Sequence, residues 1–188
     1  MPILIYIHGF NSSPQSHKAG LLRQWLAIHR PDIQFIAPDL NHVPQQAAQL
    51  LADLVQTYPH AGLIGSSLGG FYATWLNQHY GNKAVLINPA VKAYELLSTM
   101  LGEQRNYHTN HGYILTQSQV DELLALEVDV LNTPERLWVL LQTADETLDY
   151  HLALTKYPYS PLLVEEGGSH ACDSFAQHIP AIIDFLIY

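Results

Sequence analysis

The chain contains 188 residues, of which 48% are apolar and 13% are charged, so it can bury one sizeable core and is not intrinsically disordered. Eight lysine and arginine residues against 17 aspartate and glutamate residues leave a net charge of −9, which argues against nucleic acid or an anionic lipid surface as a partner. The only cysteine, Cys172, cannot form an intramolecular disulfide. No apolar run reaches the roughly 18 to 20 residues of a membrane span, and we therefore expect a single-domain cytoplasmic protein with no membrane span.

Short apolar runs alternate along the chain with segments of helical periodicity. Most of these runs are continuous, as is typical of strands that are covered on both faces. The predicted strands are Ile3–Ile7, Ile33–Ala37, Leu63–Ser66, Ala84–Ile87, Leu137–Leu141 and Leu162–Glu165. Between them, apolar residues recur with the spacing of amphipathic helices, for example from Ala47 to Tyr58 and from Leu68 to Leu76. Repeated β-α units of this kind predict an α/β fold with a mostly parallel six-stranded sheet and helices on both faces.

Two segments depart from this rhythm. Residues 92–135, between the fourth and fifth strands, contain no predicted strand but two predicted helices, at Tyr94–Leu101 and from Thr116 onward. Thr116 and Gln119 have the spacing of a capping box, which indicates the start of the second helix. The last apolar stretch has a helical period but contains Pro180, so a helix either begins near this residue or kinks there.

The motif Gly65-Ser66-Ser67-Leu68-Gly69 follows a predicted strand and leads directly into a predicted helix. In this G-x-S-x-G pattern a serine occupies a sharp strand-to-helix turn, and glycines at 65 and 69 avoid clashes with the strand and the helix. The Ser67 hydroxyl is then exposed above the sheet edge, beside the free N–H groups of a helix N-terminus. We therefore predict Ser67 as a nucleophile.

Two other interpretations of this motif stay open. The first is a turn rich in glycine and serine that carries no chemistry. The second is a phosphate-binding loop, which the sequence disfavours because Gly69-Gly70 is followed by Phe71, whereas such a loop continues with lysine and then serine or threonine.

A serine nucleophile needs a base within hydrogen-bond reach and an acid that orients the base. His170 follows Gly167-Gly168-Ser169 just past the sixth predicted strand, so it is expected at the same sheet edge as Ser67. Asp145 follows the fifth predicted strand and precedes His170 in the chain, as the orienting acid should. Asp149 is the alternative acid, but it lies four residues further on, where it could instead cap the following helix.

A tetrahedral intermediate also needs hydrogen-bond donors for its oxyanion. The segment His8-Gly9-Phe10 leaves the first predicted strand, and we expect it beside the nucleophile. We predict the backbone N–H groups of Phe10 and Leu68 as the two donors. His8 itself is predicted to hold this loop by hydrogen bonds rather than to take part in catalysis.

These residues resemble the α/β-hydrolase superfamily, in which the nucleophile, the acid and the histidine follow in this chain order. Four segments are similar, more narrowly, to the small bacterial YqiA-type esterases: His8–Pro14, Gly65–Ala73, Asn88–Ala90 and Asp145–Tyr150. The resemblance covers nearly the whole chain. It implies an α/β-hydrolase fold with the six predicted strands in the order 2-1-3-4-5-6. It also implies hydrolysis of carboxylic esters, with acyl thioesters as a further substrate class, through an acyl-serine intermediate and without a cofactor.

Related enzymes carry a lid where this chain has residues 92–135, and we expect a helical lid-like insertion there. Its apolar side chains either line an acyl pocket or form an ordinary core face. They are Tyr94, Leu97, Met100, Leu101, Tyr113, Ile114 and Leu115. Arg105 is the only cation between residues 93 and 135, against seven acidic residues, which disfavours polyanionic thioesters of coenzyme A relative to neutral esters.

The leading hypothesis is therefore a serine esterase that acts on a small-molecule ester or thioester. A second hypothesis keeps the fold but uses its pocket only for binding, as a receptor or scaffold. A third is a metal site built from the 11 histidines, which the spacing of the histidines and the single cysteine does not support. We expect neither a metal nor another cofactor.

Overall fold

The structure is a computed structural model that describes residues 1–188. Its strands are β1 (Ile3–Ile7), β2 (Gln34–Ile36), β3 (Gly62–Ser66), β4 (Ala84–Ile87), β5 (Gly102–Arg105), β6 (Gly112–Leu115), β7 (Leu137–Gln142) and β8 (Leu162–Glu165). Its α-helices are α1 (His17–His29), α2 (Pro44–Thr57), α3 (Leu68–Tyr80), α4 (Ala93–Ser98), α5 (Gln117–Ala125), α6 (Tyr150–Lys156) and α7 (Phe175–Ile187). None of the helices combines the length and the hydropathy that crossing a membrane requires.

Six strands form one sheet in the order β2-β1-β3-β4-β7-β8, and every pairing in it is parallel. These are the six predicted strands. The order differs from the predicted 2-1-3-4-5-6 only in the numbers of the last two strands, because two unpredicted strands precede them in the chain. Since parallel strands share one direction, the carboxyl ends of β1, β3, β7 and β8 all lie at the same edge of the sheet.

The sheet is apolar on both faces, which explains the continuous apolar runs of its strands. Ile5 and Ile7 of β1 pack on one face with helices α2 and α3, whereas Leu4 and Tyr6 pack on the other face with α1 and α7. Successive strand residues point to opposite faces of the sheet, so a strand with helices packed on both faces is apolar at nearly every position. The predicted α/β class, with helices on both faces, is confirmed.

The prediction that residues 92–135 contain no strand is wrong. Strands β5 and β6 pair antiparallel, with Gly102 opposite Leu115, and form a separate hairpin. Each strand has only four residues, and β5 has the sequence GEQR, so neither the length nor the composition gives an apolar run that a sequence pattern would reveal.

Of the two predicted helices in this insertion, the first ends earlier than predicted and the second begins where it was predicted. Helix α4 ends at Ser98, three residues before the predicted end. Helix α5 begins where the capping box indicated, and the Thr116 N–H donates to Gln119 Oε1 at 2.6 Å.

The question that Pro180 left open is answered by the last helix. Helix α7 begins at Phe175 and continues through Pro180, so this proline lies inside the helix and does not start it.

Candidate active site

Ser67 occupies the turn between β3 and α3 with φ 56° and ψ −120°, a backbone conformation that a residue with a Cβ atom rarely adopts. Three hydrogen bonds hold this turn. The Ser67 N–H donates to the Ile87 carbonyl at 3.0 Å, and the Ser67 carbonyl accepts from the N–H groups of Gly70 (2.9 Å) and Ala90 (3.0 Å). Strain of this kind persists only where the surrounding structure imposes it, and it is frequent at functional sites.

The two predicted elbow glycines lie where the strand and the helix approach each other most closely. A Cβ atom on Gly69 would lie 1.9 Å from the Ile7 carbonyl oxygen, and one on Gly65 would lie 2.3 Å from the Gly69 carbonyl oxygen. Both obstacles are backbone atoms, which cannot rotate away. Only glycine fits at either position.

The structure brings Ser67, His170 and Asp145 together. His170 Nε2 lies 3.1 Å from Ser67 Oγ, and His170 Nδ1 lies 2.8 Å from Asp145 Oδ2. These contacts join residues from the ends of β3, β8 and β7, as the shared sheet edge requires. The Asp145 side chain is 2% exposed and that of His170 is 23% exposed, so the carboxylate is enclosed while the imidazole can reach a substrate.

Asp145 is ionised in this arrangement. Burial alone would raise the pKa of its carboxyl group, but hydrogen bonds from His170 and from the Leu148 and Thr147 backbone outweigh burial and lower the pKa below its ordinary value. The two backbone N–H groups donate to Asp145 Oδ1, each at 2.8 Å. Because an ionised carboxylate only accepts hydrogen bonds, His170 Nδ1 carries a proton and donates to Asp145, and in the neutral imidazole Nε2 is then the hydrogen-bond acceptor that faces the Ser67 hydroxyl.

Asp149, the alternative acid, lies outside this group. Its carboxylate accepts a hydrogen bond from the His151 N–H at 3.0 Å and caps helix α6. His151 Nδ1 lies 2.7 Å from the same oxygen.

Asn88 positions the loop that carries His170. Its buried side chain donates to the carbonyls of Ser169 (3.1 Å) and His170 (3.2 Å) and accepts from the Gln142 N–H at 3.0 Å. The Glu146 carboxylate holds the same loop by accepting the His170 N–H at 3.0 Å. Sequence reasoning noted the segment Asn88–Ala90 only as part of a resemblance, and a polar residue directly after a buried strand is the signal that could have pointed to it.

The predicted oxyanion donors lie beside Ser67 and have no other partner. A Cβ atom on Gly9 would lie 3.7 Å from Ser67 Oγ, so the loop after β1 lies against the Ser67 side chain. The Phe10 N–H donates no hydrogen bond within the protein. The Leu68 N–H is the first of helix α3 and has no acceptor within the helix. The Phe10 and Leu68 N–H groups are therefore both unpaired and belong to segments that adjoin Ser67.

His8 holds this loop in place, in agreement with the structural role expected for it. His8 Nδ1 lies 2.9 Å from the Gly9 carbonyl oxygen, and Nε2 accepts the Leu40 N–H at 3.1 Å. Burial lowers the pKa of His8, which keeps the imidazole neutral and Nε2 able to accept.

The hairpin of β5 and β6 is tied to the same loop through Asn11. The Asn11 side chain donates to Gln104 Oε1 at 3.1 Å and accepts from the Tyr113 hydroxyl at 2.7 Å. The Asn11 carbonyl accepts the Tyr107 N–H at 2.8 Å, and the Asn106 side chain donates to the Ser12 carbonyl at 2.7 Å. The insertion thus braces the backbone that carries the Phe10 N–H.

A cavity of about 440 Å³ is lined by Phe10 and Leu68 and by Asn106, Thr109, His111 and Tyr113 of the β5–β6 hairpin. Of the seven apolar residues expected to line a pocket or a core face, only Leu97 and Tyr113 line it. Leu115 is buried in the core, whereas Leu101 and Ile114 are exposed. The lining mixes apolar and aromatic side chains with polar ones, and most of it comes from outside the insertion. No group of three or more histidine, cysteine, aspartate or glutamate residues is arranged to hold a metal ion.

Comparison with known proteins places the chain in a family. The family described as "Uncharacterised protein family (UPF0227)" matches residues 3–187. The chain belongs to this family. A UPF0227 protein of Shewanella sp. (strain ANA-3) is 25% identical over 190 residues, which are 97% of this chain and 98% of the relative. A UPF0227 protein of Serratia proteamaculans (strain 568) has the same identity and coverage.

Solved structures show the fold of this UPF0227 protein. Est1E from Butyrivibrio proteoclasticus has a TM-score of 0.75 and 15% identity, with 99% of this chain and 87% of that chain covered. Alpha/beta hydrolase domain-containing protein 10 from mouse has a TM-score of 0.71 and 17% identity, with 100% and 90% covered. The expected α/β-hydrolase fold and the resemblance to an α/β-hydrolase family are therefore confirmed.

Replacing Gly69 with alanine should destabilise this UPF0227 protein, because the new methyl group would meet the Ile7 carbonyl. We expect the free energy of unfolding to fall by about 3 kcal/mol or more, measured by denaturant titration. Gly20→Ala is the matched control, since a Cβ atom there meets nothing within 4 Å in helix α1, and it should gain about 0.5–1 kcal/mol. Equal stability of the two variants would contradict the close approach at the elbow.

Proposed function

We propose that the protein is a serine hydrolase that cleaves carboxylic esters, with Ser67 as the nucleophile, His170 as the base and Asp145 as the orienting acid. The observation that carries the proposal is the continuous chain of contacts from Asp145 through His170 to Ser67, at 2.8 and 3.1 Å. A serine hydroxyl, an imidazole and a buried carboxylate that contact one another in this order are the components of a catalytic triad, in which the imidazole activates the hydroxyl as a nucleophile. The α/β-hydrolase fold supports the proposal by analogy.

The first half of the reaction acylates Ser67. His170 Nε2 takes the hydroxyl proton as Ser67 Oγ attacks the acyl carbon, and the carbonyl oxygen becomes an oxyanion. The free N–H groups of Phe10 and Leu68 stabilise this negative charge. His170 then gives its proton to the departing alkoxide, the bond between carbon and the leaving oxygen breaks, and an acyl-serine remains.

The second half returns the enzyme to its starting state. A water molecule attacks the acyl carbon while His170 takes its proton, and Ser67 leaves with the proton that His170 returns. Asp145 accepts from Nδ1 throughout, so it keeps the imidazole in the productive tautomer and stabilises the imidazolium. Every proton is exchanged between the substrate, water and these side chains, and no cofactor is needed.

The same steps cleave an acyl thioester, with a thiolate as the leaving group, and we propose this as a further substrate class. Residues 92–135 are proposed as the lid-like insertion of a single domain, because they cover the cavity next to the oxyanion donors. The hydrogen bonds of Asn11 and Asn106 attach this insertion to the loop after β1.

Ser67→Ala tests the nucleophile directly. We expect wild-type protein to hydrolyse short p-nitrophenyl esters and to be labelled stoichiometrically at residue 67 by an alkyl fluorophosphonate, as detected by mass spectrometry. Ser67→Ala should lose the label and lower kcat by several orders of magnitude, at least about 10³-fold, with unchanged thermal stability.

Ser66→Ala is the matched control, because its hydroxyl interacts with Tyr6 and not with His170. This variant should retain both the label and turnover. Wild-type turnover in Ser67→Ala would reject the nucleophile. Absence of both labelling and turnover in the wild-type protein would favour the non-catalytic binding hypothesis.

Asp145→Asn and Asp149→Asn test which acid serves His170. Asparagine at 145 can donate to Nδ1 and thereby favours the wrong tautomer, so we expect kcat to fall by about 10⁴-fold. Asparagine at 149 still caps helix α6, and turnover should stay within about twofold of wild type. Steady-state kinetics with one p-nitrophenyl ester measures both variants, and a larger loss in Asp149→Asn would contradict the assignment.

A further inference from the structure

The cavity next to the proposed oxyanion donors is lined by a tyrosine hydroxyl that has no hydrogen-bond partner. Of the two tyrosines that line it, Tyr113 donates to Asn11, whereas the Tyr72 hydroxyl makes no hydrogen bond within the protein. Tyr72 is 98% buried, since only 2% of it is exposed. The enclosed side-chain atoms that lack a partner are Ser16 Oγ, Asn82 Oδ1 and Ser160 Oγ, and the Tyr72 hydroxyl oxygen is not one of them. This oxygen is therefore open to the cavity, where it can pair with a hydrogen-bonding group of a ligand.

Tyr72 is placed to reach the inner end of a bound molecule. Leu68 and Tyr72 lie four residues apart on helix α3, so they share one helix face about 6 Å apart along the axis. Leu68 and Tyr72 both line the cavity, so the cavity extends from the residue with the proposed donor N–H over about one helical turn to Tyr72. Burial raises the pKa of Tyr72, so the hydroxyl stays protonated and can donate.

The position of the cavity decides which part of an ester it would hold. His170 must protonate the leaving oxygen, so the leaving group has to lie beside His170. The cavity starts at Gly9, Phe10 and Leu68 and is lined by neither His170 nor Ser67. It borders the residues that carry the two proposed oxyanion donors but not His170, so it can hold the acyl group and not the leaving group.

The walls indicate the chemistry of that acyl group. Phe10 and Tyr113 present aromatic rings, and the His42 ring stacks on Tyr113 with the centroids 4.3 Å apart. The lining contains no lysine or arginine, and it includes Asp39. Burial, together with the neighbouring His111, lowers the pKa of His42 and keeps that ring neutral. A planar, uncharged group fits such walls better than a carboxylate or a long alkyl chain.

We propose that this cavity is the acyl subsite of the esterase, and that it selects acyl groups that carry a hydroxyl on an aromatic ring through a hydrogen bond with Tyr72. The inference rests on the proposed function. In this subsite the aromatic ring of the acyl group packs against Phe10 and the His42–Tyr113 stack, and its hydroxyl bonds to the Tyr72 hydroxyl. A site built around a hydrogen bond discriminates against the analogue that lacks the group, because its own polar atom is then left unpaired.

The test compares two substrates that differ only in the hydroxyl: methyl 3-(4-hydroxyphenyl)propanoate and methyl 3-phenylpropanoate. We expect kcat/KM of the wild-type protein to favour the hydroxylated ester about tenfold, the factor that one hydrogen bond contributes. Tyr72→Phe should reduce this ratio to about one. Tyr157→Phe is the matched control, because its phenol is equally buried but bonds to Thr74 outside the cavity, and it should keep the ratio of the wild type.

A binding measurement separates this inference from the proposed function. Ser67→Ala is titrated with each ester by NMR, and the hydroxylated ester should bind about tenfold more tightly, a preference that the double variant with Tyr72→Phe loses. If no ester is hydrolysed but this preference is present, the proposed function fails and the subsite stands. Equal kcat/KM and equal affinity for the two esters, or the same preference in Tyr72→Phe, would overturn the subsite.

Discussion

The strained turn at Ser67 is the constraint on which the rest of the site depends. A backbone conformation of this kind costs about 1–3 kcal/mol, and the structure offsets that cost with hydrogen bonds from two sides. Ile87 at the end of β4 accepts the Ser67 N–H, and Ala90, just beyond it, donates to the Ser67 carbonyl. The neighbouring strand of the sheet therefore fixes Ser67. Because the helix starts at the next residue, the same turn also leaves the Leu68 N–H without an acceptor within the helix, next to Ser67.

The other side chains of the site are positioned by long-range contacts rather than by their own segments. Asn88 joins the end of β4 to the loop that carries His170, and Asn11 joins the loop after β1 to the β5–β6 hairpin. In both cases one buried amide uses its donor and its acceptor together. Asn88 bonds to backbone groups, and Asn11 bonds to the side chains of Gln104 and Tyr113. The resulting frame fixes the positions of the His170 imidazole, the Ser67 hydroxyl and the Phe10 and Leu68 N–H groups, as the proposed catalysis by preorganised groups requires.

The sequence was informative wherever a short segment determines the local structure. The continuous apolar strands, the glycines at 65 and 69 and the capping box at Thr116 are all local signals, and the parallel sheet then places Ser67, Asp145 and His170 at one edge. The β5–β6 hairpin was missed because its strands are short and partly polar, and their pairing depends on a turn and on contacts with Asn11. The role of Asn88 and the open phenol of Tyr72 were also missed. Both features depend on how segments that are distant in the chain pack together, and a local sequence pattern does not show this packing.

The most direct test of the converged site is a crystal structure of the protein after reaction with an alkyl fluorophosphonate. The account predicts phosphorus bonded to Ser67 Oγ, with the phosphoryl oxygen within about 2.7–3.1 Å of the Phe10 and Leu68 nitrogens, and His170 still bonded to Asp145. An unmodified Ser67, or a phosphoryl oxygen that points away from both nitrogens, would contradict it.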